Sequence, residues 1–150
     1  MYTANQKLSE GLAVMATIDP VSTGPGTVVT AWVDQSVYFY VMLALSIGVF
    51  GAGATVDAKL QQALDVTGTG AKDIAGKAIV QMLAAGGNNR QALVNMKEAD
   101  MDTEGGFRFI RLSVTVGVAA TLLQATLLGG VPRFQPANAY NQAGVSQIVG

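Results

Sequence analysis

The sequence predicts an all-β protein, a jelly-roll-like β-sandwich of about eight strands with room for one short helix, and three observations support this. Segments 55–60 and 110–116 alternate apolar with polar residues, the period of a strand that buries one face. Segment 37–45 is rich in aromatic and branched residues, as buried strands are. Glycines are frequent between these segments, where a sandwich needs its turns.

The remaining strands follow from shorter apolar runs. Strands are predicted at 11–18, 27–33 and 122–128, with a loop at 19–26 that contains two prolines. Ahead of the strand at 110–116, Phe107 and Phe109 stand in the opposite phase to the apolar residues that follow. A β-bulge near Phe109 and Ile110 would reconcile the two phases.

Two pairs of predicted strands resemble each other. Each consists of a strand, a link of small residues and a second strand, with similar links at 53–55 and 119–121. We expect each pair to form a hairpin-like unit, one spanning 37–64 and the other 107–128. The two units would be matching halves of the sandwich.

The segment 71–84 fits either a helix or a strand. Ile74, Ala78 and Met82 recur at helical spacing, with Asp73 as a possible N-cap. The run 78–83 fits a strand equally well. After it, residues 86–89 predict a turn, and residues 98–102 predict one helical turn.

The chain length of 150 residues fits one domain, so we expect a single β-sandwich over 1–150. The termini, about 1–10 and 131–150, resemble arms. The second contains two prolines and several Asn and Gln residues before a short apolar stretch. Such arms are often ordered only against a neighbouring subunit.

The composition argues against an enzyme. The chain has no His and no Cys, which removes the usual near-neutral base and the thiol nucleophile, and no cofactor is predicted. The stretch 70–77 spaces its glycines wrongly for a phosphate-binding loop. A net charge of −1 predicts no direct contact with nucleic acid.

The surface is expected to be covered by partners. Charged residues make up 13% of the chain, about half the usual share of roughly 25%. The stretches 35–56 and 112–132 carry no charge and are long enough to cross a bilayer, so a two-span membrane protein is one alternative. Glycines within the first stretch and the absence of flanking basic residues argue against it, and no membrane partner is predicted.

One acidic segment is a weak candidate for a metal site, although no metal is predicted. Asp100, Asp102 and Glu104 place oxygens at alternate positions before Gly105, as the first half of an EF-hand loop does. Its twelfth position holds Arg111 instead of the glutamate that completes the shell. The following segment is a predicted strand. A plain acidic turn is therefore the preferred interpretation.

Aromatic residues are the candidate interface residues. Tyr38 and Tyr40 are predicted on one face of a strand and Phe39 on the other, so both faces need cover. The full set of candidates is Trp32, Tyr38, Phe39, Tyr40, Phe134 and Tyr140. Residues of a sandwich core would show the same composition.

Three segments, 54–61, 107–116 and 128–134, resemble a group of small β-sandwich virion proteins of tailed bacteriophages. The likeness extends over roughly 8–134 as a pattern of strands and links, and it carries no catalytic motif. It implies a capsid decoration, cement or minor head protein that forms a trimer or other homo-oligomer and binds the major capsid protein. Such a protein is made in the host cytoplasm and lies on the capsid surface.

A second alternative is a ligand- or carbohydrate-binding β-sandwich module of a phage tail or fibre. It predicts an exposed aromatic pocket around Trp32 or Tyr38.

Overall fold

The computed structural model describes residues 5–150, which form ten strands and five short helical segments. The strands are β1 (Leu12–Thr23), β2 (Gly26–Val29), β3 (Val33–Asp34), β4 (Tyr38–Ile47), β5 (Thr55–Ala63), β6 (Lys72–Ala78), β7 (Met82–Leu83), β8 (Arg90–Lys97), β9 (Phe109–Gly117) and β10 (Thr121–Pro132). One four-residue α-helix, α1 (Leu8–Gly11), precedes them. Short 3₁₀ helices occupy Gln35–Val37, Ala84–Gly86, Glu98–Asp100 and Ala137–Tyr140. The predicted all-β class is confirmed. The first part of the predicted N-terminal arm, residues 1–4, lies outside the described residues.

The strands form two antiparallel sheets in the order of a jelly roll. Sheet I has the order β1-β10-β4-β8, and sheet II has the order β2-β9-β5-β6, with β3 beside β9 and β7 beside β5. Sequence neighbours such as β1 and β2, β4 and β5, or β9 and β10 lie in different sheets. Eight main strands arranged in this way form the double Greek key of a jelly roll, as the sequence predicts.

The core lies between the sheets and is built by alternation along each strand. In β5 every second side chain from Val56 to Gln62 is buried. Each of β4, β9 and β10 contributes a row of fully buried aliphatic residues, such as Leu43, Leu112 and Leu127. Burial of a side chain of this kind stabilises the fold by about 1.5–3 kcal/mol before entropy is counted. The long runs without charge are therefore strands and not helices, and within residues 5–150 no helix has the length and hydropathy to cross a membrane.

The loop predicted at 19–26 is wrong, because β1 continues to Thr23. Val21, Ser22 and Thr23 pair with Leu123, Leu122 and Thr121 of β10, after a shift in register between Ile18 and Val21. Pro20 lies within this irregularity. A proline lacks the N–H that a regular ladder needs, and a bulge accommodates it without ending the strand.

The segment 71–84 forms strands β6 and β7, which settles the choice between helix and strand. Asp73 is not an N-cap, because its carboxylate accepts hydrogen bonds from Lys59 and Gln61 of the neighbouring β5. Of the helical stripe, Ile74 is buried whereas Ala78 is exposed. The turn at 86–89 and the helical turn near Glu98–Asp100 are confirmed.

The β-bulge predicted near Phe109 is also wrong. The pairing of β5 with β9 continues without a shift from Thr55 opposite Gly117 to Ala63 opposite Phe109. Phe107 precedes the strand, and its ring lies 4.0 Å from the Lys72 ammonium group. The phase change in the sequence therefore marks the beginning of β9.

The two similar units are not hairpins. Each link connects the two sheets, so that β4 pairs with β10 and β5 pairs with β9. The links themselves lie side by side. The Gly48 N–H donates to the Leu122 carbonyl at 2.8 Å, and the Leu122 N–H donates to the Val49 carbonyl at 2.9 Å. At Gly51 a Cβ would stand 2.4 Å from the Ala120 carbonyl oxygen, so only glycine permits this approach.

Residues after β10 cover the outer edge of β1. The Gln142 N–H donates to the Val14 carbonyl at 2.8 Å, and the Val14 N–H donates to the Asn141 side-chain oxygen at 2.8 Å. The Gln142 amide also donates to the Thr17 hydroxyl at 3.0 Å. These contacts satisfy backbone groups that an edge strand otherwise leaves to water or to another chain.

Candidate interface on the outer face of sheet I

The outer face of sheet I is formed by the side chains that alternate with the core residues. The strand register places Val14, Leu128 and Met42 in one row that ends at Asn95. The neighbouring row contains Leu12, Gly130, Tyr40 and Lys97. The face comprises Leu12, Val14, Thr17, Tyr40, Met42, Ala44, Ser46, Gln91, Leu93, Asn95, Lys97, Leu122, Gln124, Thr126, Leu128 and Gly130. Lys97, at one corner, is the charged residue among them.

Several apolar side chains of this face are open to solvent. Tyr40 is 53% exposed, Leu93 is 60% exposed and Leu122 is 45% exposed. Met42 and Leu128 are half-buried in the row between Tyr40 and Leu93, whereas Leu122 lies at the other end of the face, beyond a polar row. Apolar groups scattered singly are ordinary on a surface, but a contiguous group of them indicates an interaction site.

A groove of about 420 Å³ opens at the end of the face that contains the row from Leu12 to Lys97. Leu12, Tyr40, Met42 and Leu128 are among the residues that line it, and Lys77, Lys97 and Asp100 contribute to its lining. Such a groove is suited to apolar side chains.

Two of the charged residues beside the groove, Lys77 and Asp100, pair with each other. The Lys77 ammonium lies 3.0 Å from the Asp100 carboxylate. The Lys97 N–H, donating to the same carboxylate, and the nearby Lys77 hold the pKa of Asp100 below its usual value, against the opposing effect of partial burial. Asp100 is therefore ionised at neutral pH and occupied by partners within the chain.

The six aromatic candidates for the interface are distributed over different environments. Tyr40 lies in the groove, whereas Phe39 packs against the Arg133 guanidinium, 4.3 Å from the ring centre. Phe134 and Tyr140, after β10, are exposed. Trp32 is half-buried, and the Arg111 guanidinium lies over its ring at 4.5 Å.

Tyr38 belongs to the core. It is buried, so it does not share the exposed environment of Tyr40, which differs from the prediction that the two lie on one face. Burial, with a smaller contribution from Tyr140, raises the pKa of Tyr38 to about 12. Its hydroxyl has no hydrogen-bond partner among the described residues. Tyr38 packs closely on Gly129, where a Cβ would stand 2.6 Å from the tyrosine ring.

The acidic segment at 100–104 contacts lysines instead of converging on one point. The Asp102 carboxylate contacts Lys72 and accepts the Gly105 N–H at 2.9 Å, and Asp100 pairs with Lys77 as described. Glu104 is exposed. Within residues 5–150 no group of three or more acidic, His or Cys residues is placed to hold a metal ion.

The sequence reasoning missed the aliphatic members of the face, above all Leu12, Met42, Leu93 and Leu128. Leu12, Met42 and Leu128 fall in predicted strands, but no outward-facing side was predicted for them. Leu93 falls in β8, a strand that the sequence pattern did not predict. A signal existed in segment 37–45, where nearly every residue is apolar. A strand with one solvated face would show alternation there.

Comparison with known proteins shows likeness in the arrangement of strands. No family model and no curated protein matches the chain. A structure of infectious bursal disease virus, Gt strain, is similar with a TM-score of 0.46 and 11% identity over 85% of this chain and 33% of that one. A structure of the cowpea mosaic virus empty particle has a TM-score of 0.45 and 11% identity over 92% and 87% of the two chains.

The similar structures are not all viral. A xylanase of Cellvibrio japonicus has a TM-score of 0.38 and 9% identity over 86% of this chain and 28% of that one. The chain thus spans about a third of the infectious bursal disease virus chain and less of the xylanase. Likeness at this level says nothing about activity. The fold itself, an all-β sandwich with the strand order of a jelly roll, is plain from the sheets of this chain.

Proposed function

We propose that this chain is a virion structural protein that decorates or cements a capsid, or forms a minor part of the head. The observation that carries the proposal is the outer face of sheet I, a surface with few charged side chains, a largely apolar groove and exposed Tyr40 and Leu93. A surface of this kind is stable in water when a partner covers it. The low share of charged residues in the chain, 13%, supports the same conclusion.

The mechanism is binding alone. Copies of the chain associate as a trimer or another homo-oligomer, and the oligomer binds the major capsid protein across the junctions between capsid subunits. Each added contact must break before the shell can open, so the shell resists the pressure of the packaged genome. This role requires no catalytic group and no cofactor. It also requires no direct contact with nucleic acid, in agreement with the net charge of −1.

The resemblance of segments 54–61, 107–116 and 128–134 to phage virion proteins supports the location on the capsid surface. These segments fall in β5, β9 and the end of β10, so they are parts of the sandwich framework. The glycan-binding alternative receives no support from Trp32, because Arg111 covers one side of the indole ring.

The first test is the mass of the purified protein by light scattering on a detergent-free sizing column, followed by binding to capsids that lack the protein. We expect a β-rich oligomer of defined mass that binds such capsids and raises their resistance to heat. A protein that remains monomeric at high concentration and has no affinity for capsids would contradict the proposal.

A further inference from the structure

Residues 143–150 lie across the β1 end of the outer face of sheet I. Val145, Ile148 and Val149 line a hollow of about 540 Å³ together with residues of α1, β1 and β10. The floor of this hollow includes Leu12, Val14 and Leu128, which belong to the face.

The segment and the face are chemically matched. Residues 143–150 contain no charged side chain, and three of them are aliphatic. The face residues in the floor of the hollow, Leu12, Val14 and Leu128, are aliphatic as well. Lys7 is the charged residue that lines the hollow, and its ammonium contacts the Gly150 carbonyl. A positively charged partner segment would therefore lose its hydration here without a counter-charge. An uncharged aliphatic segment such as 143–150 loses nothing of this kind.

The fit within one chain is incomplete. Val149 is 91% exposed and Ile148 is 51% exposed, although both line the hollow. From residue 5 onward, two hydrogen bonds hold this segment. The Val145 N–H donates to the Gln142 carbonyl at 3.1 Å within a local turn, and the Lys7 ammonium donates to the Gly150 carbonyl. Release of the segment therefore breaks few contacts.

The surface that the segment touches continues beyond its reach. Leu12 and Leu128 line both the hollow and the groove, so the floor continues toward Tyr40 and Met42. The turn between Gln142 and Val145 reverses the chain next to this floor. If the turn opens, residues 145–150 extend away from their own sandwich.

We propose that residues 143–150 are exchanged between copies of this chain, each segment packing on the outer face of sheet I of a neighbour. The inference rests on the self-association proposed above and names the surface and the segment that produce it. Exchange repeats in the neighbour the contacts already made within one chain, so it costs little.

The chain contains no Cys, so introduced thiols are unique and can test this directly. The variants Ile148→Cys and Leu12→Cys are co-expressed as two chains with tags of different mass and treated with a short bismaleimide. Leu128→Cys serves as a second floor position in case Leu12→Cys impairs folding. The matched control replaces the floor variant with Val80→Cys, which is 91% exposed and lies between β6 and β7.

We expect the floor variants to give at least about tenfold more of the mixed cross-linked pair than the control, because exchange raises the local concentration of one thiol near the other. A chain carrying both Ile148→Cys and Leu12→Cys should link into multimers. Linkage within single chains, with mixed pairs no more frequent than in the control, would overturn the exchange.

The mass of the unsubstituted protein separates the two proposals. An oligomer in which the segment links only within its own chain contradicts the exchange and leaves the assembly function intact. A protein that is monomeric in solution and does not bind capsids contradicts both.

Discussion

The outer faces of the two sheets differ in how their polar groups are satisfied. On sheet II, Lys59 and Gln61 both donate to Asp73, and Arg111 donates to Gln61 at 2.9 Å. Gln81 donates to Asp57 at 2.8 Å nearby. Within residues 5–150 the outer face of sheet I has isolated side-chain hydrogen bonds, such as Thr126 to Gln124 at 3.3 Å, and presents Tyr40, Met42 and Leu93. One outer face is therefore polar and internally paired, and the other is largely apolar.

The comparison teaches where to search for function in a chain without catalytic residues. Both sheets contribute equally apolar inner rows, such as Leu43 in sheet I and Leu60 in sheet II, so the core does not distinguish them. The outer rows do distinguish them. Asymmetry of charge between two faces of a sandwich is therefore evidence of a partner on the uncharged side.

The largest expected effect is on the free energy of unfolding. It distinguishes two neighbouring residues of β4 whose side chains point to opposite sides of the sheet. Leu43→Ala removes a fully buried side chain and should lower the free energy of unfolding by about 2–5 kcal/mol. Met42→Ala, on the outer face, should change it by less than about 0.5 kcal/mol. Urea denaturation of each variant, at a protein concentration too low for association, measures the free energy of unfolding. Equal losses would mean that the outer face is part of the core.

The next effect concerns association. Met42→Lys places an unpaired charge in the groove and should weaken self-association by at least about 100-fold, roughly 2.7 kcal/mol, because a buried unpaired charge costs several kcal/mol. The matched control is Val29→Lys, an exposed apolar residue of sheet II that is 44% accessible. Light scattering across a dilution series checks both variants. A loss of association in the control alone would place the interface on sheet II.

A smaller loss of stability is expected when the pH is lowered. Lys59 and Gln61 hold the pKa of Asp73 below its ordinary value. The stabilisation is therefore present above the unfolded pKa of about 3.9 and is lost as the pH falls through the lower folded value. The pair is exposed, so the loss should stay below about 1 kcal/mol.

The variant Asp73→Asn isolates this contribution. It should remove part of the acid sensitivity seen in thermal unfolding between neutral pH and pH values below about 4. Self-association at pH 5 should be the same in both proteins, because Asp73 lies on sheet II. An acid profile identical to that of the unsubstituted chain would show that Asp73 contributes nothing.

The smallest expected effect is that of salt on self-association. The outer face of sheet I bears few charged side chains, Lys97 at one corner and Asp19 beside Thr17, so the dissociation constant should change by less than about threefold between low and high ionic strength. Sedimentation at several sodium chloride concentrations measures it. A steep loss of association with salt would assign the contact to the charged network of sheet II.

Most of the fold follows from local pattern. Period-two alternation predicts β5 and β9 because each strand has one face in the core, and the two glycine-containing links were located correctly. The pairing of the strands was not predictable in this way. The links at Gly48–Gly53 and 117–120 have the composition of hairpin turns, yet they cross between sheets. The residues of a link do not indicate which sheet the next strand joins.

The candidate face was predictable only in part. The aromatic residues Tyr38 and Tyr40 drew attention to β4, but their burial differs, because the start of β4 turns one ring into the core. Leu12 and Leu128 fall in or at the end of predicted strands with no face predicted for either, and Leu93 lies in β8, which the sequence pattern did not predict. Which side of a strand faces outward is decided by the register with its neighbours, and the register is a property of the whole sandwich.

The pairing of β1 with β10 has a consequence for the order of events during synthesis. The first strand of the sandwich, β1, pairs with the last, β10. Paired residues are 98 positions apart at Thr23 and Thr121, and further apart toward Leu12 and Gly130. While a ribosome is still making the middle of the protein, β1 has no neighbour, and one side of β4 is open as well. In a nascent chain, one edge of β1 and one edge of β4 therefore stay unpaired until residue 132 has left the ribosomal tunnel. Unpaired strand edges promote aggregation, so the release of β10, and not local folding, determines when this tendency falls.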